Sequence, residues 1–331
     1  MKVFRGLPHP LLRRPCAVAI GNFDGMHAGH RALVEATARA AADRGLLPAA
    51  LTFEPHPRER LGGTPPARIS TLGDKVEELL RAGAERVHLM NFSPALAALT
   101  PEAFANEVLV EGLDARWVAA GADFRFGRGR EGDIEDLARL GRKLGFEVHA
   151  SPIVAHYGRK VSSTRIREAL SRGDLYEAGQ LLGRRYSMCG RVIHGAALGR
   201  KLGYPTLNLA PIPPGSHAEP AIRGVFAVLV EGLGPAPLAG VASLGCKPTV
   251  ASDRRWLLET HVFDWTGNAY GRRIRVYFIE KIRDEKKFSG LEELKAAIQC
   301  DALRARRILG LAAGAAREAD THEPTAASAR S

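Results

Sequence analysis

Two histidines, His27 and His30, follow a short apolar run that ends at Ile20. A glycine-containing turn separates them from the run, and helical apolar periodicity follows them. In an α/β sheet such a junction lies at the carboxyl end of a strand, where ligands bind, and the helix start favours phosphate. Two imidazoles there could stabilise the charge that develops when a phosphate oxygen attacks the α-phosphorus of a nucleotide. The pattern therefore predicts nucleotidyl transfer, with both histidines as catalytic groups.

A second helix start, within residues 161–167, carries hydroxyl and basic side chains. Ser163 or Thr164 is predicted to cap this helix, and Arg165 together with hydroxyls and amides suits a phosphate. The alternative is that these residues only cap the helix. The phosphate-binding role is favoured if this helix start and the one at His27 and His30 face each other in the fold. The phosphate-binding residues predicted at the two helix starts are Gly21, Asn22, Phe23, Asp24, Gly25, Gly29, Ser163, Thr164 and Arg165.

The elements that position these residues are indicated by alternating short apolar runs and helical periodicity. Strands are predicted over 16–20, 47–53, 86–91, 116–120 and 146–150, and helices over 30–44, 74–84, 101–111 and 134–144. We expect an α/β domain with a doubly wound, Rossmann-like parallel sheet. A helical connector, with a second short helix after Asp174, extends to Gly183.

After Gly183 the pattern changes to β-rich runs separated by glycine, proline and aspartate turns. Strands are predicted over 186–193, 224–231, 238–244, 256–263 and 273–282, and one amphipathic helix over 291–308. This pattern is typical of a small antiparallel barrel with a closing helix. We therefore divide the chain into domains over 1–182 and 183–309. Residues 310–331 lack an apolar face and are expected to form a disordered tail.

The composition restricts the class of protein and its partners. The chain of 331 residues carries a net charge of +11, which favours anionic partners such as nucleotides or nucleic acid. The four cysteines are too far apart to indicate structural zinc or a disulfide framework. No apolar run approaches the roughly 18–20 residues that a membrane span needs. We expect a cytoplasmic protein without membrane contact, and no oligomeric state is predicted.

The motif around His27 and His30 resembles the adenylyltransferase half of bacterial bifunctional riboflavin kinase/FAD synthetases. Residues 52–57 (Thr-Phe-Glu-Pro-His-Pro) and 121–127 (Gly-Ala-Asp-Phe-Arg-Phe-Gly) match two further motifs of that half. The resemblance implies a flavin site, in which prolines and phenylalanines present flat apolar surface to the isoalloxazine ring and Asp123 bonds its polar edge. One of the two phenylalanines is more easily explained as core, and the resemblance favours Phe126 as the one that contacts the flavin. The implied flavin-binding residues are Pro55, Asp123, Phe124 and Phe126.

Residues 199–208 (Gly-Arg-Lys-Leu-Gly-Tyr-Pro-Thr-Leu-Asn) resemble the riboflavin kinase half of the same family. Gly199 and Arg200 could cover ATP phosphates. Thr206 and Asn208, two apart in an extended chain, could present two oxygens to Mg²⁺. The resemblance implies that Glu259 is the general base for the 5′-hydroxyl of riboflavin. The departures from the family's usual residues are Leu207, Ser243 and Lys247.

The resemblance implies a chain that phosphorylates riboflavin to FMN and then adenylylates FMN to FAD, using ATP, Mg²⁺ and no nucleic acid. One alternative is an FMN adenylyltransferase whose barrel only binds flavin. A second is adenylyl transfer to another phosphate, such as that of nicotinate or pantetheine compounds. A third is a basic nucleic-acid-binding module that uses Arg304, Arg306 and Arg307. These three arginines are also explained as a solvated helix end, where cations suit the helix dipole.

Overall fold

The computed structural model describes residues 2–60, 62, 64–195, 198–248 and 254–311. It contains a parallel six-stranded sheet covered by helices and an antiparallel six-stranded sheet followed by a helix. The predicted fold class is therefore confirmed. The predicted disorder of the tail concerns residues that, beyond Leu311, lie outside the described part of the chain.

The N-terminal sheet is parallel throughout, in the order β1-β4-β3-β2-β5-β6. Its strands are β1 (Val3–Arg5), β2 (Cys16–Ile20), β3 (Leu47–Phe53), β4 (Arg86–Met90), β5 (Ala115–Gly121) and β6 (Glu147–Ser151). The chain builds outward from β2 to β4 and then returns to place β5 on the other side of β2. This reversal opens a crevice at the carboxyl ends of β2 and β5, which is where ligands bind in such sheets.

Helices cover both faces of this sheet, as its wholly buried central strand requires. The side chains of Ala17 and Ala19 pack towards α1 (Ala28–Arg44) and α3 (Leu72–Arg81). The alternate residues of β2 pack on the other side, against the π-helical segment Phe104–Val110 and α6 (Ile134–Leu144). Short helices lie between these elements: α2 (Pro57–Arg60), α4 (Pro94–Ala97) and α5 (Pro101–Ala103).

A small hairpin and two helices follow the parallel sheet. They are β7 (Ala155–His156), β8 (Arg159–Lys160), α7 (Ser163–Arg172) and α8 (Leu175–Leu182). The predicted cap of α7 at Ser163 or Thr164 is wrong. Ser162 caps the helix instead, because its hydroxyl accepts the amide hydrogen of Arg165 at 3.3 Å. This shift leaves Ser163 in the first turn.

The antiparallel sheet has the strand order β10-β13-β12-β11-β14-β9. Its strands are β9 (Ser187–Arg191), β10 (Leu207–Leu209), β11 (Gly224–Glu231), β12 (Leu238–Pro248), β13 (Arg254–Val262) and β14 (Arg273–Arg283), with a short helix α9 (Leu198–Lys201) before β10. The two edges meet where the amide of Ile193 donates to the carbonyl of Asn208 at 2.9 Å. This isolated bridge nearly closes the sheet into the predicted barrel.

The C-terminal helix α10 (Leu291–Ile308) packs on the outside of the barrel through Ala302 and Ala305. Arg306 is not the solvated helix end that the sequence suggested. Its guanidinium lies 4.4 Å from the ring centroid of Phe263 and 2.9 Å from a carboxylate oxygen of Asp264. These contacts explain the basic residue without a nucleic-acid partner.

The two sheets are joined by a shared core and by buried polar contacts. Ile166 and Leu170 of α7 belong to the same buried apolar cluster as Phe226 and Phe278 of the barrel. Helices α7 and α8 therefore complete the core of the barrel. Asp74 of α3 adds buried polar contacts between the two sheets. Its carboxylate accepts hydrogen bonds from Arg275 at 2.8 Å and from the amide of Cys189 at 3.1 Å.

Replacing that carboxylate by Asp74→Ala would leave the buried guanidinium of Arg275 without a principal partner. We expect the free energy of unfolding to fall by about 3–5 kcal/mol, the usual cost of breaking a buried ion pair. Denaturant unfolding measures this change. Glu147→Ala, which breaks an exposed pair with Arg44, is the control and should have little effect. Equal losses in both variants would contradict the expectation.

Candidate active sites

A cavity of about 660 Å³ lies at the carboxyl edge of the parallel sheet. This volume is in the range of pockets that enclose a nucleotide-sized ligand. Its walls come from the ends of β2, β3 and β5, the start of α1, the segment after β6 and the start of α7. The two predicted helix starts thus line the same cavity. The predicted site residues among its lining are Gly21, Asn22, Asp24, His27, Gly29, His30, Asp123, Phe124, Phe126, Ser163 and Thr164.

The two histidines at the cavity form a stacked pair. Their ring centroids are 3.7 Å apart with planes inclined by 15°. His27 is the N-cap of α1, and its Nδ1 accepts the amide hydrogen of His30 at 3.3 Å. Gly29 permits this arrangement, because a Cβ at that position would lie 3.3 Å from the His27 ring.

Both imidazoles are electrically neutral near pH 7. Burial, reinforced by Lys160, lowers the pKa of His27 to about 4. Burial also lowers the pKa of His30 well below its usual value, and the neighbouring His27 and Lys75 act in the same direction. Because Nδ1 of the neutral His27 accepts a hydrogen bond, its proton is on Nε2. The neutral imidazole of His27 can therefore donate a hydrogen bond from Nε2–H without carrying a positive charge.

Asp24 joins three segments around the cavity. Its carboxylate accepts from the amides of Ile69 and Ser70 at 3.1–3.2 Å and from Arg167 at 2.6 Å. Burial would raise its pKa, but Arg167, Lys75 and these amides outweigh burial and hold the pKa below the usual value. The carboxylate is therefore ionised and already bonded, and an anion cannot donate a hydrogen bond to phosphate.

Two further predicted residues of this turn, Phe23 and Gly25, lie behind the cavity wall. Phe23 is fully buried and packs its ring edge-on against His30, with centroids 5.3 Å apart. The amide of Gly25 donates to the hydroxyl of Ser70 at 3.0 Å, and its carbonyl accepts from Arg184 at 3.0 Å. Phe23 and Gly25 are absent from the cavity lining, and they support the turn on the side away from the cavity.

On α7 the two arginines of the motif point in different directions. Arg165 turns away from the cavity, donating to Glu177 at 3.0 Å and to the carbonyl of His156 at 3.3 Å. Arg167 lines the cavity instead, next to Asp24. A sequence signal for this residue exists, because position 167 lies four residues after Ser163 and therefore on the same helix face.

The aromatic part of the cavity contains the two predicted phenylalanines. Phe124 and Phe126 are nearly parallel, with centroids 5.5 Å apart. Phe126 is the more buried and also contacts Phe104 in the core, while Phe124 is half-buried. Both line the cavity, whereas Pro55 does not. Asp123 is exposed and paired with Lys160 of β8.

Several cavity residues carry charge or an imidazole and were not predicted from the sequence. They are His56, Arg58, Arg125, Arg130, Lys160 and Arg167. They come from several separate segments of the chain, and for all but Arg167 neither periodicity nor spacing relates them to the predicted residues. Their positive charges suit an anionic ligand.

The candidate residues of the barrel meet at its seam. Asn208 and Glu259 are directly opposite in the antiparallel pairing of β10 and β13, so their side chains lie on the same face. Asn208 is buried, and among the described residues its Oδ1 has no hydrogen-bond partner. Gly195 packs against this amide, because a Cβ there would lie 2.5 Å from Nδ2 of Asn208. Thr206 lies two residues before Asn208.

Before β10, the predicted phosphate-covering residues lie at a tight turn. Arg200 is exposed on α9, and a Cβ at Gly199 would lie 2.3 Å from the carbonyl oxygen of Tyr204. Gly199 therefore allows the turn to close on itself. The side chain of Lys247, one of the departures from the family pattern, lies outside the described residues.

Comparisons with known proteins find two family models along the chain. A family model described as FAD synthetase matches residues 10–165, and one described as riboflavin kinase matches residues 182–309. These matches define a class of chain that joins a nucleotidyltransferase domain to a kinase domain. The chain belongs to the family of bifunctional riboflavin kinase/FMN adenylyltransferases.

Two relatives illustrate the similarity. The bifunctional riboflavin kinase/FMN adenylyltransferase of Escherichia coli (strain K12) is 42% identical over 315 residues, covering 94% of this chain and 99% of that protein. The corresponding protein of Pseudomonas fluorescens is 39% identical over 311 residues, covering 93% and 98%.

A solved structure from Streptococcus pneumoniae, described as a macrolide-efflux protein, has a TM-score of 0.68 and 31% identity, covering 90% of this chain and 96% of that chain. Within the described residues, no helix is long and apolar enough to cross a membrane.

The depressed pKa of His27 makes stability depend on pH. The unfolded chain binds a proton near pH 6.5 that the folded chain does not take up until about pH 4. The free energy of unfolding should therefore decrease as the pH falls from about 6.5 to about 4, with His27 contributing about 1–3 kcal/mol. His27→Asn keeps a side chain that can cap α1 but does not titrate. Denaturant unfolding between pH 4 and 7 should give a shallower dependence for this variant, and an unchanged slope would contradict the expectation.

Proposed function

We propose that the cavity of the parallel sheet catalyses adenylyl transfer from ATP to FMN and that the barrel catalyses phosphorylation of riboflavin by ATP. The observation that carries the first assignment is the neutral histidine pair facing the start of α7 across one cavity. Neutral donors, helix amides and Arg167 form an anion-binding surface at that place. The second assignment rests on Asn208 and Glu259 sharing one face at the barrel seam.

In the proposed adenylyl transfer, a phosphate oxygen of FMN attacks the α-phosphorus of ATP. A new phosphorus–oxygen bond forms, the bond between the α- and β-phosphates breaks, and pyrophosphate leaves. Negative charge grows on the α-phosphate oxygens and on the leaving group. Nε2–H of His27, His30 and the guanidinium of Arg167 stabilise this charge. Ser163 and Thr164 supply hydroxyls and amides at the start of α7.

The geometry favours Arg167 over Arg165 for the phosphate role. Arg165 is bonded to Glu177 and to a carbonyl, and moving it into the cavity would break both contacts. Arg167 lies at the cavity and is oriented by Asp24. We propose a positioning role for Asp24, and likewise for Phe23 and Gly25 in the turn beneath the histidines.

The flavin is proposed to lie against Phe124, whose half-buried ring leaves an exposed part towards the cavity. Phe126 supports that ring from the core side by parallel stacking. Asp123 can bond the polar edge of the isoalloxazine, and its pairing with Lys160 keeps it ionised: the pKa of Asp123 is lowered by the hydrogen bond from Lys160. Pro55 has an indirect role, by shaping the segment that ends at His56.

In the proposed kinase reaction, Glu259 accepts the proton of the 5′-hydroxyl of riboflavin. The hydroxyl oxygen attacks the γ-phosphorus of ATP, the bond between the β- and γ-phosphates breaks, and ADP leaves. Gly199 and Arg200 are proposed to cover the phosphates. The buried Oδ1 of Asn208, which has no hydrogen-bond partner within the described part of the chain, fits a hard cation, and we propose that Asn208 and Thr206 hold Mg²⁺. When bound, the ion supplies positive charge beside the phosphates.

Product analysis of single-site variants tests both assignments. With riboflavin, ATP and Mg²⁺, His30→Ala should accumulate FMN without FAD, because only the adenylyl site is changed. Glu259→Ala should make neither product from riboflavin but should convert supplied FMN to FAD. Chromatography of the flavins measures both outcomes.

Two exposed residues outside the sites provide matched controls, His9→Ala and Glu292→Ala. Both should make FMN and FAD as the unchanged protein does. FAD formation by His30→Ala, or FMN formation by Glu259→Ala, at the unchanged rate would refute the corresponding assignment. An unchanged protein that makes FAD only from supplied FMN would favour the alternative of an adenylyltransferase with an inactive barrel.

The proposed metal site predicts a selective change in Mg²⁺ dependence. Thr206→Val removes one oxygen while preserving side-chain shape, so the Mg²⁺ concentration for half-maximal riboflavin phosphorylation should rise by about tenfold or more. Adenylylation of supplied FMN should keep its Mg²⁺ dependence. Titration of each reaction with Mg²⁺ measures this difference, and equal shifts in both reactions would speak against the site.

A further inference from the structure

A buried arginine outside the proposed sites holds two carboxylates together. Arg68 is 5% exposed, and its Nη2 lies 2.7 Å from Glu54 Oε1 and 2.6 Å from Glu59 Oε1. Its Nη1 donates to the other oxygen of Glu54 at 3.0 Å. Lys75 adds a second cation, 3.3 Å from Glu54. The Nη1 contact with Glu54 is a hydrogen bond, and the two Nη2 contacts are ion pairs without hydrogen-bond geometry. The extended guanidinium reaches both carboxylates, whereas the compact ammonium of lysine cannot span them in the same way.

The two carboxylates are the ends of one cavity wall. Glu54 directly follows β3, Glu59 lies in α2, and the residues between them include His56, Pro57 and Arg58, all of which line the cavity. Within this segment the amide of Arg58 donates to Nδ1 of His56 at 3.2 Å. A single guanidinium therefore clamps both ends of the segment 54–59 that forms this wall.

Arg68 is itself fastened to the barrel domain. Its amide donates to the carbonyl of Glu219 at 2.7 Å, and its carbonyl accepts from the amide of Ala221 at 2.8 Å. A third link is direct, as the hydroxyl of Ser216 donates to Glu59 at 2.8 Å. The barrel segment that makes these contacts follows β10, the strand that carries Asn208. The wall of the proposed adenylyl-transfer site is thus bonded to the segment that follows β10, the strand of the proposed kinase site.

We propose that Arg68 is a positioning residue for FMN adenylylation, which fixes the wall at residues 54–59 and ties it to the barrel through the segment 216–221. This inference rests on the proposed assignment of the cavity to adenylyl transfer. Arg68 does not line the cavity, so its effect is exerted through Glu54 and Glu59. Misplacement of a cavity wall by about 1 Å can cost up to a hundredfold in rate.

The test compares Arg68→Lys, Ser216→Ala and the control Arg60→Ala in the full chain. Arg60 is exposed and lies on α2, the short helix that also carries Glu59. We expect Arg68→Lys to lower kcat/KM for FAD formation by about tenfold or more, and Ser216→Ala by about two- to fivefold. Riboflavin phosphorylation should stay within about twofold in all three variants, and Arg60→Ala should leave both reactions unchanged.

The double variant Arg68→Lys/Ser216→Ala adds a coupling measurement. Because both residues act through Glu59, the combined loss in FAD formation should be smaller than the product of the single losses. A merely structural role would instead lower Tm and both activities in parallel, which would overturn the proposal. Unchanged FAD formation in Ser216→Ala and Arg68→Lys would also overturn it, and Ser216→Ala keeps the test decisive if Arg68→Lys does not fold.

The proposed function is checked separately in the same assays. If His30→Ala abolishes FAD formation while the Arg68 and Ser216 variants retain it, only the positioning role fails. If His30→Ala retains FAD formation, the assignment of the cavity to adenylyl transfer fails, and the positioning role that rests on it fails as well.

Discussion

The arrangement of the cavity at the parallel sheet depends on one buried anion, the carboxylate of Asp24. A carboxylate taken out of water is costly unless charge and hydrogen bonds replace its hydration. Here the replacement comes from the amides that precede α3 and from Arg167 of α7. The backbone carbonyl of Asp24 also accepts from the hydroxyl of Ser163 at 3.0 Å. The hydrogen-bonding groups of Asp24 find all these partners only if the turn after β2, the segment before α3 and the start of α7 lie next to each other.

Helix α7 connects that constraint to the second domain. Its first turn lines the cavity, while its buried residues Ile166 and Leu170 belong to the apolar cluster of the barrel. A helix is stiff over ten residues, so a displacement at one end is transmitted to the other. The catalytic surface at its start is consequently supported by packing that the N-terminal sheet does not provide.

Much of the fold could be predicted because burial imposes clear periods on the sequence. The central strands, α1, α6 and the long strands of the barrel have apolar patterns that determine their type. The edge strand β1 has only three residues, and the hairpin β7–β8 is exposed, so neither produces a recognisable period. Helix α1 begins two residues before the predicted start because an imidazole, His27, serves as its cap.

The site was predictable where a motif and an element boundary coincide, as at the histidine pair. It was not predictable where side-chain direction depends on distant partners. The spacing from Ser163 relates Arg167 to the cavity face of α7, but the direction of Arg165 depends on Glu177 of the next helix, which no sequence pattern relates to it. The charged residues contributed by separate loops are brought together by the topology of the sheet alone.

The closure of the barrel has a consequence for whatever binds inside it. A backbone hydrogen bond from Ile193 to Asn208 joins the two edges, and the amide oxygen of the same Asn208 has no partner among the residues that the structure describes. A ligand that bound this oxygen more tightly when the two edges are joined would stabilise the joined form. By linkage, the factor by which joining strengthens binding equals the factor by which binding favours joining.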